Sequence, residues 1–288
     1  MVDDTVIADY GLGFLSKIKK RIEYTSVAKY VIDNDIKFVY MRSDHNASFF
    51  LINAIKIMRR HDVKVVMEIP TYPYDVEYIG WPMKKRLIQD KIFRRKLASH
   101  LNAIITFTEE KLIFGQKTIC ISNGIDFNCI SQKQHLNDTS KELHLIGVAE
   151  IHIWHGFDRV LRGLARYYSE NPTYKVYFHI VGYFYSSTEE NLILPLIEKL
   201  GLTKYVILHG KQHGKGLDQI FDFCDFGIGS LGRHRVGITS IKTLKNREYA
   251  ARGIPFMYSE LDSDFDGKPY VLKALADESA IDIVSIVN

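Results

Sequence analysis

No run of apolar residues comes near the ~20 that a membrane-spanning helix requires, so the sequence predicts no bilayer-crossing segment. Met1 to Tyr10 lacks the basic, apolar and small-residue succession of a secretory leader, and the protein is therefore expected in the cytoplasm. Cysteine is scarce. Cys120, Cys129 and Cys224 are odd in number and without metal-ligand spacing, which excludes a disulfide framework and a zinc site and leaves them as reduced core thiols. An excess of either charge is also missing: 38 Lys and Arg against 34 Asp and Glu leave a net charge of +4, too weak a field for a dedicated nucleic-acid binder. There is no Walker loop, no nucleophile elbow, no repeat of solenoid length and no low-complexity tract.

What is present is the composition of a globular protein, 46% hydrophobic and 25% charged. At 288 residues, two domains are expected. Short β-rich apolar runs at 36–40, 63–67, 103–107 and 118–121 alternate with segments of helical period, notably 47–60 and 83–99. A second series of runs follows at 143–148, 176–181, 205–208, 226–229 and 255–258. This alternation predicts parallel βαβ units, with strands apolar enough to be covered on both faces. The expected fold class is α/β: two Rossmann-like, doubly wound parallel-sheet domains facing a cleft, residues 1–127 and 142–288, joined by the polar, aperiodic connection 128–141. In such sheets ligands bind beyond the carboxyl ends of the strands. Residues 83–97 are strongly basic with apolar residues at near-helical spacing. Two readings stay open there: a peripheral helix on an anionic membrane surface, or a solvated helix packing Leu87, Ile88, Ile92 and Leu97 against a sheet.

The most informative stretch runs from Ser240 to Phe256. It reads as a helix ended by Gly253 and followed by a short strand from Pro255. Its first turn, with free N–H groups and a positive dipole end, is suited to phosphate, and Lys242, Lys245 and Arg247 add full charges. The run Glu248-Tyr249-Ala250-Ala251-Arg252-Gly253-Ile254-Pro255-Phe256 resembles the donor-site helix of family 4 retaining glycosyltransferases of the GT-B fold. Other stretches are similar to that family in the same order: Ser122-Asn123-Gly124-Ile125-Asp126; Leu145 to Ala149 with Trp154-His155-Gly156; Ile180-Val181-Gly182; and Leu208-His209-Gly210-Lys211. The Trp154-His155-Gly156 pattern looks like that of the capsular and surface-polysaccharide members.

The resemblance implies a donor site of Glu248, holding ribose hydroxyls, with Gly147, Gly182, Gly210, Lys211 and Lys242, and with Lys245, Arg235 and His155 stabilising the departing diphosphate. His155 stands where the family has a lysine; it is read either as an imidazolium held protonated by phosphate or as a capping and packing residue. Arg233, Arg235, Lys242 and Lys245 are the candidate replacement cations. Ser240 occupies the place of the family's other glutamate, on the sugar side. On the acceptor side, Glu68, Tyr72 and Tyr74 follow a strand, and His45 is either a sugar contact or a bystander beside a helix cap at Asp44 or Asn46. The N-terminal domain looks abbreviated, lacking the family's early strands.

The implied reaction is metal-independent transfer of a hexosyl group from a UDP- or GDP-sugar to a saccharide or lipid-linked acceptor, without a cofactor and without nucleic acid. A cytoplasmic protein, peripheral on the inner membrane face through residues 83–97, is the corresponding location. The principal rival is a degenerate GT-B protein that binds nucleotide or a partner chain without turnover. A sugar-nucleotide epimerase would need a poised histidine and carboxylate set that the sequence does not display.

Overall fold

The computed structural model describes residues 6–78, 81–134 and 137–288, apart from the side chains of residues 77 and 82. Residues 1–5, and 135–136 of the expected connection, lie outside it. The chain divides into two compact units, Met1–Ile121 and Ser122–Asn288.

The first unit contains α1 (Phe14–Ile22), α2 (Thr25–Asp33), β1 (Phe38–Arg42), α3 (Phe49–Arg60), β2 (Lys64–Ile69), α4 (Trp81–Ser99), β3 (Ala103–Thr106), β4 (Leu112–Ile113) and β5 (Gln116–Cys120). The sheet order is β1-β2-β3-β5-β4, parallel except for the terminal β4–β5 pair. Its main core places Ile52, Ile55 and Met58 of α3 against Val65, Met67 and Ile104 of the sheet. Among the described residues no strand precedes β1, an edge strand on which Phe38 and Tyr40 stay exposed. The cap of α3 is Ser48, whose side chain accepts from the Leu51 N–H, and not Asp44 or Asn46. Ser48 wins because it is the last extended residue before the helix, so its hydroxyl alone reaches the first-turn amides.

The second unit contains β6 (Glu142–Ile151), α5 (Phe157–Ser169), β7 (Lys175–Phe184), α6 (Ser187–Lys199), β8 (Val206–Gly210), α7 (Gly214–Phe223), β9 (Phe226–Ile228), α8 (Leu244–Arg252), β10 (Phe256–Tyr258), β11 (Val271–Lys273) and α9 (Val284–Val287). All its strand pairs are parallel, in the order β11-β10-β9-β6-β7-β8. By chain order this is 3-2-1-4-5-6, the doubly wound arrangement whose strand succession reverses between β6 and β9. Alternation along β6 sends Leu145 to the face packed by Phe157, Leu161 and Leu164, and Ile146 to the face packed by Phe221 and Tyr249. Gly253, left-handed at φ 75°, ends α8 as the sequence predicts.

The stretch expected to connect two domains packs on the second unit. Lys133 donates its backbone N–H to the Arg252 carbonyl at 3.0 Å and pairs with Asp225, and Asn137 bonds Asp225 at 2.6 Å. The cysteines divide. Cys224 is buried, its thiol pushed up to about 12 by desolvation, whereas Cys120 and Cys129 are exposed, so the core-thiol reading holds for Cys224 alone. Cys120 is the last residue of β5, where the inward alternation of the strand ends.

Candidate functional site

The reversal point of the second sheet brings three loops together. The turn after β6 (residues 152–156) is clasped to the loop after β9 by Leu231 N–H to His155 O and Gly232 N–H to Trp154 O, both 3.1 Å. The segment after β10 joins the same corner: the Ser259 N–H donates to Ser230 O at 3.0 Å, and Leu261 and Ser240 form a parallel bridge. That bridge leads directly into Thr243, whose hydroxyl caps α8, so the first turn of α8 opens beside these strand ends.

The cations expected to serve phosphate are not equivalent. Arg235 spends all five of its N–H donors: Nε on Glu278, Nη1 on Asp158 and Ile153 O, and Nη2 on Asp158 and Glu278. It ties the 233–236 turn to α5 and has no donor left for a ligand. Lys242 is buried and shared between Asp264 at 3.0 Å and Ser122 Oγ at 3.1 Å. His155 is buried, and its Nδ1 accepts from the His152 N–H at 2.9 Å. Desolvation, with Lys245 and Arg233 beside it, drives its pKa well below the usual value. Burial thus favours the neutral ring, and the contact with the His152 N–H is a capping one. Arg233 lies over the Trp154 ring, 5.4 Å from its centroid.

Lys245 differs from all of these. Its stem is partly exposed, but Nζ is buried and among the described residues has no hydrogen-bond partner. Burial, reinforced by Arg233 and only partly opposed by Glu260, brings its pKa down to about 7. Glu260 completes the cluster. It is 2% exposed, both of its carboxylate oxygens lack a hydrogen-bond partner among the described residues, and burial pushes its pKa up to about 7. Ser230 Oγ is likewise buried and unsatisfied. Native proteins seldom leave such groups unpaired, so their concentration at one corner is the chemical signature of this site.

Glu248 lies one turn into α8, half-buried, and Nε and Nη2 of Arg252 both donate to its Oε1, at 3.0 and 2.9 Å. Arg252 is itself anchored on Asp218 and the Ser131 carbonyl. Gly147 sits inside β6, where a Cβ would come within 2.7 Å of the Phe157 ring, so packing alone accounts for it. Gly182 has φ 133° and a Cβ there would lie 1.7 Å from the Ala149 carbonyl oxygen; only glycine lets β7 run so close to β6. Gly210 is open at the end of β8, and Lys211 is exposed with its ammonium 5.6 Å from the Tyr183 ring centroid. Just before Gly210 ends a ladder of imidazoles, His144 to His179 at 2.9 Å and His179 to His209 at 2.8 Å. Desolvation and the two flanking rings take His179 down to about 4, and burial also lowers His209 at this strand end.

In the first unit, Glu68 is buried, accepting from the Tyr40 hydroxyl at 2.6 Å and pairing with Arg42 at 3.3 Å. His45 stacks on Tyr74 at 3.8 Å and shares a hydrogen bond with the Tyr78 hydroxyl, while its Nε2 is buried without a hydrogen-bond partner. Tyr72 packs edge-on against Phe114. Among the described residues no group of three or more His, Cys, Asp or Glu could hold a metal ion, and no helix is long and apolar enough to cross a membrane.

Sequence reasoning missed Glu260 and Ser230. Each closely follows a strand of a doubly wound sheet, where ligand contacts concentrate, but nothing local marks the burial of either side chain.

No family model and no curated protein matches the sequence. Solved structures do. The chain is similar to Anabaena HepE in complex with UDP, with a TM-score of 0.61 at 13% identity over 91% of this chain and 71% of that one. It is similar to a glycosyltransferase from Rickettsia africae, TM-score 0.63 at 11% identity over 91% and 69%. Sucrose-phosphate synthase from Thermosynechococcus elongatus gives 0.61 at 12%, over 88% of this chain and 65% of its own. The fold is that of the GT-B glycosyltransferases, α/β with two largely parallel sheets.

Proposed function

We propose that this chain is a glycosyltransferase of the family 4 type that moves a hexosyl group, with retention of configuration, from a UDP- or GDP-sugar to an acceptor hydroxyl in polysaccharide or glycolipid synthesis. The observation that carries the reading is the buried, unsatisfied ammonium of Lys245 beside the first turn of α8, at the reversal point of a 3-2-1-4-5-6 sheet. A diphosphate supplies the acceptors that ammonium lacks, and the helix dipole adds to the attraction. HepE is a structural neighbour solved with UDP and with UDP-glucose, which supports uracil as the base. In the transfer, the bond from the anomeric carbon to the diphosphate oxygen breaks and a bond from the acceptor oxygen to that carbon forms on the same face. The acceptor proton passes to the departing diphosphate, whose developing charge Lys245 and the α8 amides stabilise; the reaction requires no metal.

Glu248, oriented by Arg252, takes the ribose hydroxyls in this reading. Calorimetric titration with UDP-, GDP-, CMP- and ADP-sugars tests it. Selective binding of one class is expected, weakened roughly 10- to 100-fold by Glu248→Ala, the loss of one or two charge-assisted hydrogen bonds. Absence of binding at millimolar ligand would overturn the reading. The engagement of Arg235 and Lys242 and the neutrality of His155 favour one rival, a nucleotide-binding protein without turnover. Release of nucleoside diphosphate from the bound donor, followed by chromatography, separates the two.

Peripheral contact with the inner membrane face through residues 83–97 belongs to the same proposal. In α4 Leu87 and Leu97 are buried, but Ile88 and Ile92 are 56% and 67% exposed, flanked by exposed Lys84, Lys85, Arg95 and Lys96. Vesicles of anionic phospholipid are expected to sediment the protein, and Ile88→Ser with Ile92→Ser to weaken partitioning about 10-fold. Equal sedimentation of the double variant would refute the contact.

A further inference from the structure

The carboxylate of Glu260 has the opposite need to Lys245. When ionised it only accepts hydrogen bonds, with about four lone-pair directions, and none is used among the described residues. It is not misplaced for want of order. The Ser240–Leu261 bridge, the Leu261 N–H on Thr239 O at 2.8 Å and the Ile241 N–H on Leu261 O at 3.0 Å fix the backbone on one side. Ser259 on Ser230 and the Lys273 ammonium on the Glu260 carbonyl fix it on the other. A rigid backbone thus holds an acidic side chain buried at the end of β10, within electrostatic reach of Lys245 and Arg233. A ligand that satisfies this corner must bring anionic oxygens for the ammonium and hydroxyl donors for the carboxylate on one molecule. A glycosyl phosphate has that combination, and an acidic sugar is disfavoured there by like charge.

We propose that Glu260 is the sugar-recognising residue of the site, accepting hydroxyls of a neutral glycosyl group while the attached diphosphate occupies Lys245. This rests on the nucleotide-sugar reading above. It goes beyond it in assigning the sugar contact to a residue outside the α8 helix and in restricting the donor to neutral, hydroxyl-bearing sugars. Sequence reading left this corner without a carboxylate because Ser240 stands there; Glu260 brings one across the bridge.

The test separates sugar from nucleotide. Wild type and Glu260→Gln are titrated by calorimetry with UDP and GDP and with the corresponding nucleotide-hexoses and nucleotide-uronic acids, in two buffers of different ionisation enthalpy at pH 7. Thermal melts confirm that the variant is folded. The expected result is that the diphosphates bind both proteins alike, that the neutral hexose adds at least about 10-fold in affinity to wild type only, and that this increment is accompanied by proton release as the hydroxyls stabilise the ionised carboxylate. A uronic acid should add nothing. If the hexose increment and the proton release survive in Glu260→Gln, the sugar contact is elsewhere and the inference fails while the donor reading stands. If wild type binds no diphosphate, both fail together.

Discussion

Arg247→Met is expected to destabilise the second unit by about 3–5 kcal/mol, seen as a lower urea midpoint at an unchanged slope. The guanidinium is buried and all five donors are used: Nε on the Asn123 carbonyl, Nη1 on Thr243 O and Asp262, Nη2 on Asp262 and Asp264. Asp262 is 0% exposed. Removing the arginine therefore leaves a carboxylate in a dry site without its counter-charge, and it also takes the guanidinium donor from the Asn123 carbonyl. The same residue joins the 122–126 turn to the start of α8, so the entry of the chain into this unit should loosen with it. Adding Asp262→Asn to Arg247→Met removes the stranded charge and is expected to restore part of the loss. A single-variant cost below about 1 kcal/mol would show that the network contributes no more than a surface pair.

Arg247 also shows where sequence reading stops. The strand runs and the helix ending at Gly253 were legible because each depends on local chemistry: apolar β-rich runs, a left-handed glycine and a strand beginning at once beyond it. That the strands pair in parallel followed from the same alternation, whereas their order in each sheet did not. The assignment of cations was not legible. Arg235 reads as an exposed arginine after a strand, but Asp158 lies 77 positions away and Glu278 lies 43 away, and only the fold shows that they absorb its charge. Lys242 and Lys245 look alike in sequence, three positions apart on one segment; Asp264 meets the first, and among the described residues the second finds no hydrogen-bond partner. Glu260 was hidden in a polar stretch, Ser259 to Asp264, that reads as an ordinary loop. Its burial comes from three segments distant in the chain converging on one corner, which no local pattern encodes.

Lys245→Met should make the protein more stable and a poorer binder at once. The ammonium's pKa falls from the usual 10.5 to about 7 because burial disfavours the charge. Between those values the unfolded chain holds a proton that the folded chain has given up, so wild-type stability rises as pH increases from about 7 towards 10.5. Methionine keeps the volume and removes the charge, which predicts a gain on the order of 2–4 kcal/mol at pH 7 and a flatter profile above it. Glu260 runs the other way: its raised value favours the folded state at low pH, and that contribution is lost as pH rises through about 7. Urea melts of wild type, Lys245→Met and Glu260→Gln at pH 6, 7, 8 and 9 separate the two slopes. Donor binding should move oppositely to stability. A diphosphate needs the protonated amine, so affinity in wild type should fall as pH rises above about 7, and Lys245→Met should bind about 10- to 100-fold more weakly with that pH dependence removed. A residue that costs the fold and serves only the ligand is what a site built for an anion requires; unchanged binding in the methionine variant would move the diphosphate away from α8.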